Sequence, residues 1–343
     1  MKTGQITIKD IARQLNISPS TVSRALKDHP DISQETKKLV NELARQLEYE
    51  PNQIAQSLRQ SKTFTLGVVI PSLVHHFFSS VISGMEDVAH DRGYNLILTQ
   101  SNESFIREQE NIRALLSSRV DGIFVSMARE TQDYAHFHHV EKREIPLIFF
   151  DRVCEDLPTH RVVIENFEGA FAAVSHLLRS GCRRVVHLAG PENLRITNER
   201  LRGYYEAHQQ FGLTPPPALC LMADHRQAGR QAVNALLAEA EDLDGIFTVN
   251  DDTAIGALQA LQEAGRRVPE EVSVIGFGDS PLAEIANPAL STVAEPGFAM
   301  GQAVVQLFLE QSERLAKGLP FVPKTEVFPT QLVLRASTRK LAD

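Results

Sequence analysis

The sequence contains no tryptophan, only 6% aromatic residues and three cysteines. Its strongest apolar runs, "LGVVI" (66–70) and "PLIFF" (146–150), fall far short of the roughly 20 residues of a membrane span. Cys154, Cys182 and Cys220 are odd in number and widely spaced, which suits neither a disulfide framework nor a zinc site, so core or near-surface thiols are expected. No apolar signal segment follows Met1, and a cytoplasmic protein is expected. Positive charge is scarce as well: the formal net charge of -8 excludes a chain coated throughout for polyanions. That deficit is uneven, because residues 1–60 hold nine Lys/Arg against seven Asp/Glu. A polyanion would be met by this head and repelled by the rest.

What is present begins with three short helical patterns. Ile8, Ile11, Ala12 and Leu15 fall on one helical face. Ser18 can cap a second helix with Pro19 at its first position, where the missing N–H costs nothing, and Val22, Ala25 and Leu26 supply its inner face. Ser33 opens a third, with Val40, Leu43, Ala44 and Leu47 at helical spacing, and "YEP" (49–51) ends it. A fourth candidate, 52–60, is capped by Asn52 but spans two turns, too short to be stable alone in water.

From Phe64 the pattern changes to apolar strands alternating with amphipathic helices. Strands are predicted at 65–70, 94–99, 121–125, 146–150, 184–189, 244–249 and 272–277, and helices at 77–91, 104–117, 167–179, 197–210, 226–238, 253–264 and 297–311. This order indicates parallel sheets covered on both faces. About 270 residues exceed one comfortable core, and the pattern is interrupted near 151–169, so two similar α/β lobes are expected. The expected division is a head at 1–50, a hinge helix and linker at 51–63, a first lobe at 64–160 and 292–324, and a second lobe at 161–291 and 325–343.

Two short helices joined by a tight turn, the second opening on small polar residues, match helix-turn-helix geometry. Pro19, Ser20, Thr21 and Ser23 are short enough for close backbone approach to a major groove, and Arg24 can reach a guanine edge or a phosphate. The competing reading is an ordinary helical hairpin with a serine cap.

"TIKDIARQLNISPSTVSRAL", "DISQETKKLV", "YEPNQIAQSLR" and "TLGVVIP" resemble the lactose/galactose repressor family of bacterial transcription regulators. The likeness continues through "VDGIFV", "IPLIFFDR", "HLAGP", "RLRGYYEA", "VNDDTAIGAL" and "VPEEVSVIGF" to "VLRAST". It implies a helix-turn-helix head on a body like the two-lobed periplasmic binding proteins. It also implies a homodimer on a palindromic operator, a small carbohydrate-like effector between the lobes, and no cofactor. Expected DNA contacts are Thr7, Pro19, Ser20, Thr21, Ser23, Arg24 and Asn52, with Leu58 wedged into the minor groove to kink the duplex.

Ligands of such folds sit beyond the carboxyl ends of the strands. Residues that follow strands are His75 to Phe78, Ser126, Asp151, Arg152, Asn250, Asp251, Gly278 and Asp279, while Arg200 lies on a helix after "AGPENL". Carboxylates, amides and an arginine near aromatics suit a polyhydroxylated molecule, whose buried hydroxyls each need a partner. The expected effector residues are His76, Phe77, Phe78, Ser126, Asp151, Arg152, Arg200, Asp224, Asn250 and Asp279. Each has a plainer alternative. Asp151 and Arg152 could pair, Phe78 could be core, Asn250 could cap the next helix, Asp251 could brace its loop, and Arg200 could pair with Glu199 or Glu206.

The chain also departs from the family it resembles. "GFGDSP" (276–281) puts Gly278 where "GFDD" has a carboxylate; Asp224 or His225 replaces an aromatic; and "HHFF" (75–78) brings two imidazoles to the mouth, either to assist an acidic effector or as ordinary loop residues. A dinucleotide reading of "GFGDSP" fails for want of the third small residue and a following acidic residue. An enzyme using the cleft is the rival class, but no nucleophile elbow or metal-spaced cluster appears. A sugar-capturing transport protein would leave residues 1–60 without a use. The nine residues after Leu334 carry no heptad pattern, so no tetramerising coil is expected.

Overall fold

The computed structural model describes residues 6–49, 62–215, 219–239 and 242–341. The expected hinge helix at 52–60, with Asn52 and Leu58, lies outside the described residues. The chain divides into two compact units, Met1–Phe64 and Thr65–Asp343.

The first unit holds α1 (Ile8–Gln14), α2 (Pro19–Leu26) and α3 (Gln34–Gln46). Their inner faces meet at Ile11, Val22 and Val40, all fully buried, with Ala12, Ala25 and Ala44 filling the narrow space between them. Each helix starts where a side chain satisfies backbone groups that lack intrahelical partners. Thr7 donates its N–H and hydroxyl to Asp10 at 3.0 and 2.6 Å. The Ser18 hydroxyl accepts the Thr21 N–H at 3.1 Å, and that of Ser33 accepts the Thr36 N–H at 3.2 Å. Asn16 makes the turn between α1 and α2 in the left-handed region, φ 52°, which asparagine tolerates.

The second unit is built on two parallel sheets. The first contains β1 (Thr65–Ile70), β2 (Asn95–Gln100), β3 (Gly122–Val125), β4 (Leu147–Phe150) and β5 (His160–Ile164). The second contains β6 (Val185–Ala189), β7 (Cys220–Met222), β8 (Gly245–Thr248) and β9 (Ser273–Ile275), ordered β7-β6-β8-β9. Near the C-terminus come β10 (Thr292–Ala294), β11 (Thr325–Phe328) and β12 (Gln331–Val333). β11 joins the first sheet to give the order β11-β5-β4-β3-β1-β2, and β10 pairs with β12 as an antiparallel ribbon. Buried runs such as Leu66 to Ile70 and Leu147 to Phe150 are apolar on both faces because helices cover both. These helices are α4 (His76–Asp91), α5 (Phe105–Ser117), α6 (Ala135–Glu141), α7 (Asn166–Arg179), α8 (Arg195–Gln210), α9 (Arg226–Ala238), α10 (Asp251–Glu263), α11 (Pro281–Ile285) and α12 (Gly297–Ala316). No described helix is long and apolar enough to cross a membrane.

The strands and helices predicted between 65 and 311 occur within two residues of their expected ends, except that α12 runs on to Ala316. The expected lobe division needs correction. Residues 160–164 and 325–328, assigned wholly or largely to the second lobe, both belong to the first sheet, with Val163 opposite Val327 in parallel register. Val162 and Ile164 bury into the core that holds Phe150 and Phe308, and His160 Nδ1 accepts the Lys324 N–H at 3.0 Å, which ties the two strands together. The first crossing therefore falls after Ile164. Three-residue strands such as β7 and β10 carry too few alternations to be read from sequence.

α4 and α12 pack through glycine. A Cβ at Gly84 would lie 1.9 Å from the Phe298 carbonyl oxygen, and one at Gly301 would lie 1.9 Å from that of Val81. Both clashes are with backbone, so the helices would have to separate. Gly84→Ala is expected to lower the denaturant midpoint of this unit by an equivalent of about 1–3 kcal/mol; an unchanged midpoint in chemical denaturation would contradict the close packing.

Candidate functional site

In the head, the cap Ser18 and, on α2, Pro19, Ser20 and Arg24 are exposed, while Thr21 and Ser23 are half-buried. The Ser20 and Thr21 hydroxyls share hydrogen bonds with Ser18 Oγ at 2.7 and 2.8 Å, so they brace the start of the helix. Arg24 forms no ion pair among the described residues. Thr7 is exposed at the start of α1, where it caps.

The second unit contains a cavity of about 350 Å³ between its two sheets. Of the predicted effector residues, Phe77, Phe78, Asp151, Arg152, Arg200, Asp224 and Asn250 line it. His76, Ser126 and Asp279 do not. His76 is exposed at the first position of α4, one residue past the lining His75. Ser126 is fully buried and acts one step removed, its hydroxyl donating to Asp151 Oδ2 at 3.1 Å. Asp279 turns away to pair with Arg335 at 2.7 Å.

Asp151 follows β4 in the left-handed region, φ 58°. Burial pushes its carboxyl above the ordinary range, against the pull of Arg152 and Arg200. Arg152 Nε lies 3.9 Å from Asp151, but the stronger partner of Arg152 is Glu103, at 2.7 Å. Glu103 also accepts the Arg129 N–H at 2.9 Å. Phe78 is both core and lining, edge-on to Phe77 at 5.3 Å and to Phe150 at 6.5 Å.

Arg200 does not pair with Glu199 or Glu206 on the surface. It is buried, with Nε donating to Asn166 Oδ1 at 2.9 Å, Nη1 to the Val249 carbonyl and Nη2 to Glu295 Oε1 at 2.9 Å. Its guanidinium stacks 3.6 Å from the centroid of Phe277. Burial raises the Glu295 carboxyl to about 7 even beside this cation.

Across the cavity, Arg129 Nη1 reaches Asp224 Oδ2 at 2.7 Å, and Asp224 Oδ1 meets His225 Nδ1 at 2.9 Å. Both polar groups of Asn250 are engaged: Oδ1 accepts the Thr253 N–H at 2.8 Å to cap α10, and Nδ2 donates to the Asp224 carbonyl at 2.8 Å. Asp251 braces its own surroundings, accepting the Thr292 hydroxyl and the Ser280 N–H, each at 2.6 Å.

Sequence reasoning missed Glu295, Asn102, Glu103, Arg129 and Phe277 as lining residues. The strand-end rule could have found four of them, since "SNE" follows β2, "MAR" follows β3 and Phe277 follows β9. Glu295 follows β10, a strand the pattern did not reveal. Among the described residues no cluster of His, Cys, Asp and Glu could hold a metal ion.

A helix-turn-helix head and a two-lobed body around a polar cavity define the class of ligand-responsive DNA-binding regulators. Residues 7–52 match the profile of bacterial regulatory proteins of the lacI family, and 174–338 match a periplasmic binding protein-like domain. The chain is 33% identical over 339 residues to the probable HTH-type transcriptional repressor ExuR of Bacillus subtilis, covering 97% of this chain and 100% of that one. It is 30% identical over 335 residues to the ribose operon repressor of Halalkalibacterium halodurans, covering 97% of each. The solved complex of the transcriptional regulator CelR with cellobiose superimposes with a TM-score of 0.72 at 27% identity, covering 97% of this chain and 99% of that one. The chain belongs to the LacI family of bacterial regulatory proteins. These relatives are DNA-binding regulators, which disposes of the enzyme reading of the cleft.

The raised carboxyl of Glu295 has a measurable sign. Between about 4.5 and about 7 the folded protein keeps a proton that the unfolded chain releases, so this group's contribution to stability is present at low pH and lost as pH rises. Glutamine cannot titrate. The thermal midpoint of Glu295→Gln relative to the parent is expected to rise from pH 5 to pH 7.5; a pH-independent difference would contradict the raised carboxyl.

Proposed function

We propose that this protein is a cytoplasmic transcriptional repressor that binds a palindromic operator as a homodimer. A small polyhydroxylated effector in the cavity of its second unit changes its affinity for that operator. The observation that carries the reading is the pairing in one chain of an exposed, capped α2 with a polar cavity ringed by strand ends. On α2, Pro19 and Ser20 allow close approach to a major groove and Arg24 reads a base edge. In the cavity, Asp151 accepts effector hydroxyl hydrogens, Asn250 stiffens the opposite wall through the cap of α10, and Phe77 offers an apolar face to a sugar ring. Leu58 and Asn52 are the further DNA contacts of this reading, with the leucine as minor-groove wedge.

Control then follows from linkage. If the effector favours one arrangement of the lobes, and only one arrangement lets the two hinge segments of a dimer pack on DNA, occupancy of the cavity shifts operator affinity. A coupling of about 1–3 kcal/mol corresponds to roughly a 5- to 150-fold change.

Two substitutions separate the two roles. Arg24→Ala is expected to weaken specific operator binding by about 1–3 kcal/mol while leaving effector affinity of the DNA-free protein unchanged. Asp151→Ala is expected to abolish the effector response while leaving effector-free operator binding near the parent value. Fluorescence anisotropy with specific and scrambled duplexes, paired with calorimetry, checks both. Equal losses on the two duplexes would reduce Arg24 to a phosphate contact, and an intact effector response in Asp151→Ala would remove that residue from the site.

A further inference from the structure

The cavity lining carries three guanidinium groups, and each already holds a carboxylate. Arg200 pairs with Glu295 at 2.9 Å, Arg152 with Glu103 at 2.7 Å and Arg129 with Asp224 at 2.7 Å. The first pair is the deepest, with side chains only 6% and 8% exposed. Asp151 is a fourth carboxylate, and among the described residues its one close hydrogen-bond donor is the Ser126 hydroxyl. Among the described lining residues no guanidinium is left free, and of the two imidazoles His225 already meets Asp224 while His75 stands exposed. A carboxylate or phosphate reaching Arg200 would have to displace Glu295 and leave it buried and unpaired, a large penalty, whereas the half-exposed Arg129–Asp224 pair would yield at little cost. Hydroxyl groups carry no such penalty, because each can donate to a carboxylate oxygen already facing the cavity.

Glu295 also fills a particular space. Gly278 adopts φ 126°, and a Cβ placed there would lie 3.6 Å from Glu295 Oε2. A side chain at 278 would therefore reach ordinary van der Waals contact with the carboxylate that arrives from β10.

Accepting that the cavity is the effector site, we propose that Glu295 is a specificity-determining residue that makes the effector an uncharged polyhydroxylated molecule. By occupying the Arg200 guanidinium it excludes the corresponding sugar acids and sugar phosphates. Glu295→Gln leaves the shape nearly unchanged and releases Arg200 for an anionic group. Glu295→Asp keeps the charge.

The test is calorimetry on the full chain at pH 8, above the carboxyl's value of about 7, so that Glu295 is ionised. Matched pairs serve as probes: galactose and galacturonate, glucose and gluconate, ribose and ribose 5-phosphate. For the pair that the parent protein recognises, the neutral member is expected to bind at least about tenfold more tightly. Glu295→Gln is expected to narrow that preference by about tenfold or more through gained affinity for the anion, and Glu295→Asp to retain it. A parent protein that binds the acid member as well or better would overturn the inference. So would an equal loss on both members in Glu295→Gln, which would make Glu295 a structural brace. The regulatory reading fails by a separate result, a bound sugar that leaves operator affinity untouched. An acid that binds tightly and does shift operator affinity would sink only the selectivity assigned to Glu295.

Discussion

A guanidinium buried as deeply as Arg200 cannot stand unpartnered, and the floor of the cavity is organised around that requirement. Its partners come from four places: Asn166 after β5, Val249 after β8, Phe277 after β9 and Glu295 after β10. One side chain of α8 therefore gathers the ends of strands from both sheets. Removing one member of a buried pair leaves an uncompensated charge, at a cost of about 3–5 kcal/mol, so the arrangement tolerates little variation. Asp151, beside it and hydrogen-bonded among the described residues to Ser126 alone, is left with acceptor capacity toward the cavity.

The Arg129–Asp224 link across the cavity is of another kind. Arg129 is 42% exposed where it meets Asp224. Solvated pairs of this sort contribute roughly 0–1 kcal/mol each. A tie this weak at the rim costs little to break, which suits the proposed control by a small ligand. Only a small free-energy difference can be reversed by the differential affinity of such a ligand.

Much of the head and the alternation of strands and helices was legible in the sequence, for identifiable reasons. Ile11, Val22 and Val40 sit at helical spacing behind capping residues, so local pattern and tertiary burial agree. Residues 65–70 and 146–150 are apolar runs long enough to be read as strands buried on both faces. Asp151, Arg152 and Asn250 were found because they follow such runs. The errors arose where pairing is remote. β11 joins β5 across about 160 residues, and Arg200 meets Glu295 across 95 positions. Nothing local in "VAEP" announces a buried acid. Likewise Asp279 and Asp224 look equivalent as acidic residues near strand ends, yet Arg335 draws the first away from the cavity and Arg129 holds the second at its edge.

In the proposed regulator the cavity and the operator are two sites of one equilibrium. The most direct measurement is a closed thermodynamic cycle on the intact dimer: operator affinity with and without saturating effector, and effector affinity with and without saturating operator. Two ratios that differ from unity and equal each other are expected. Ratios of one, with the cavity demonstrably filled, would contradict the coupling.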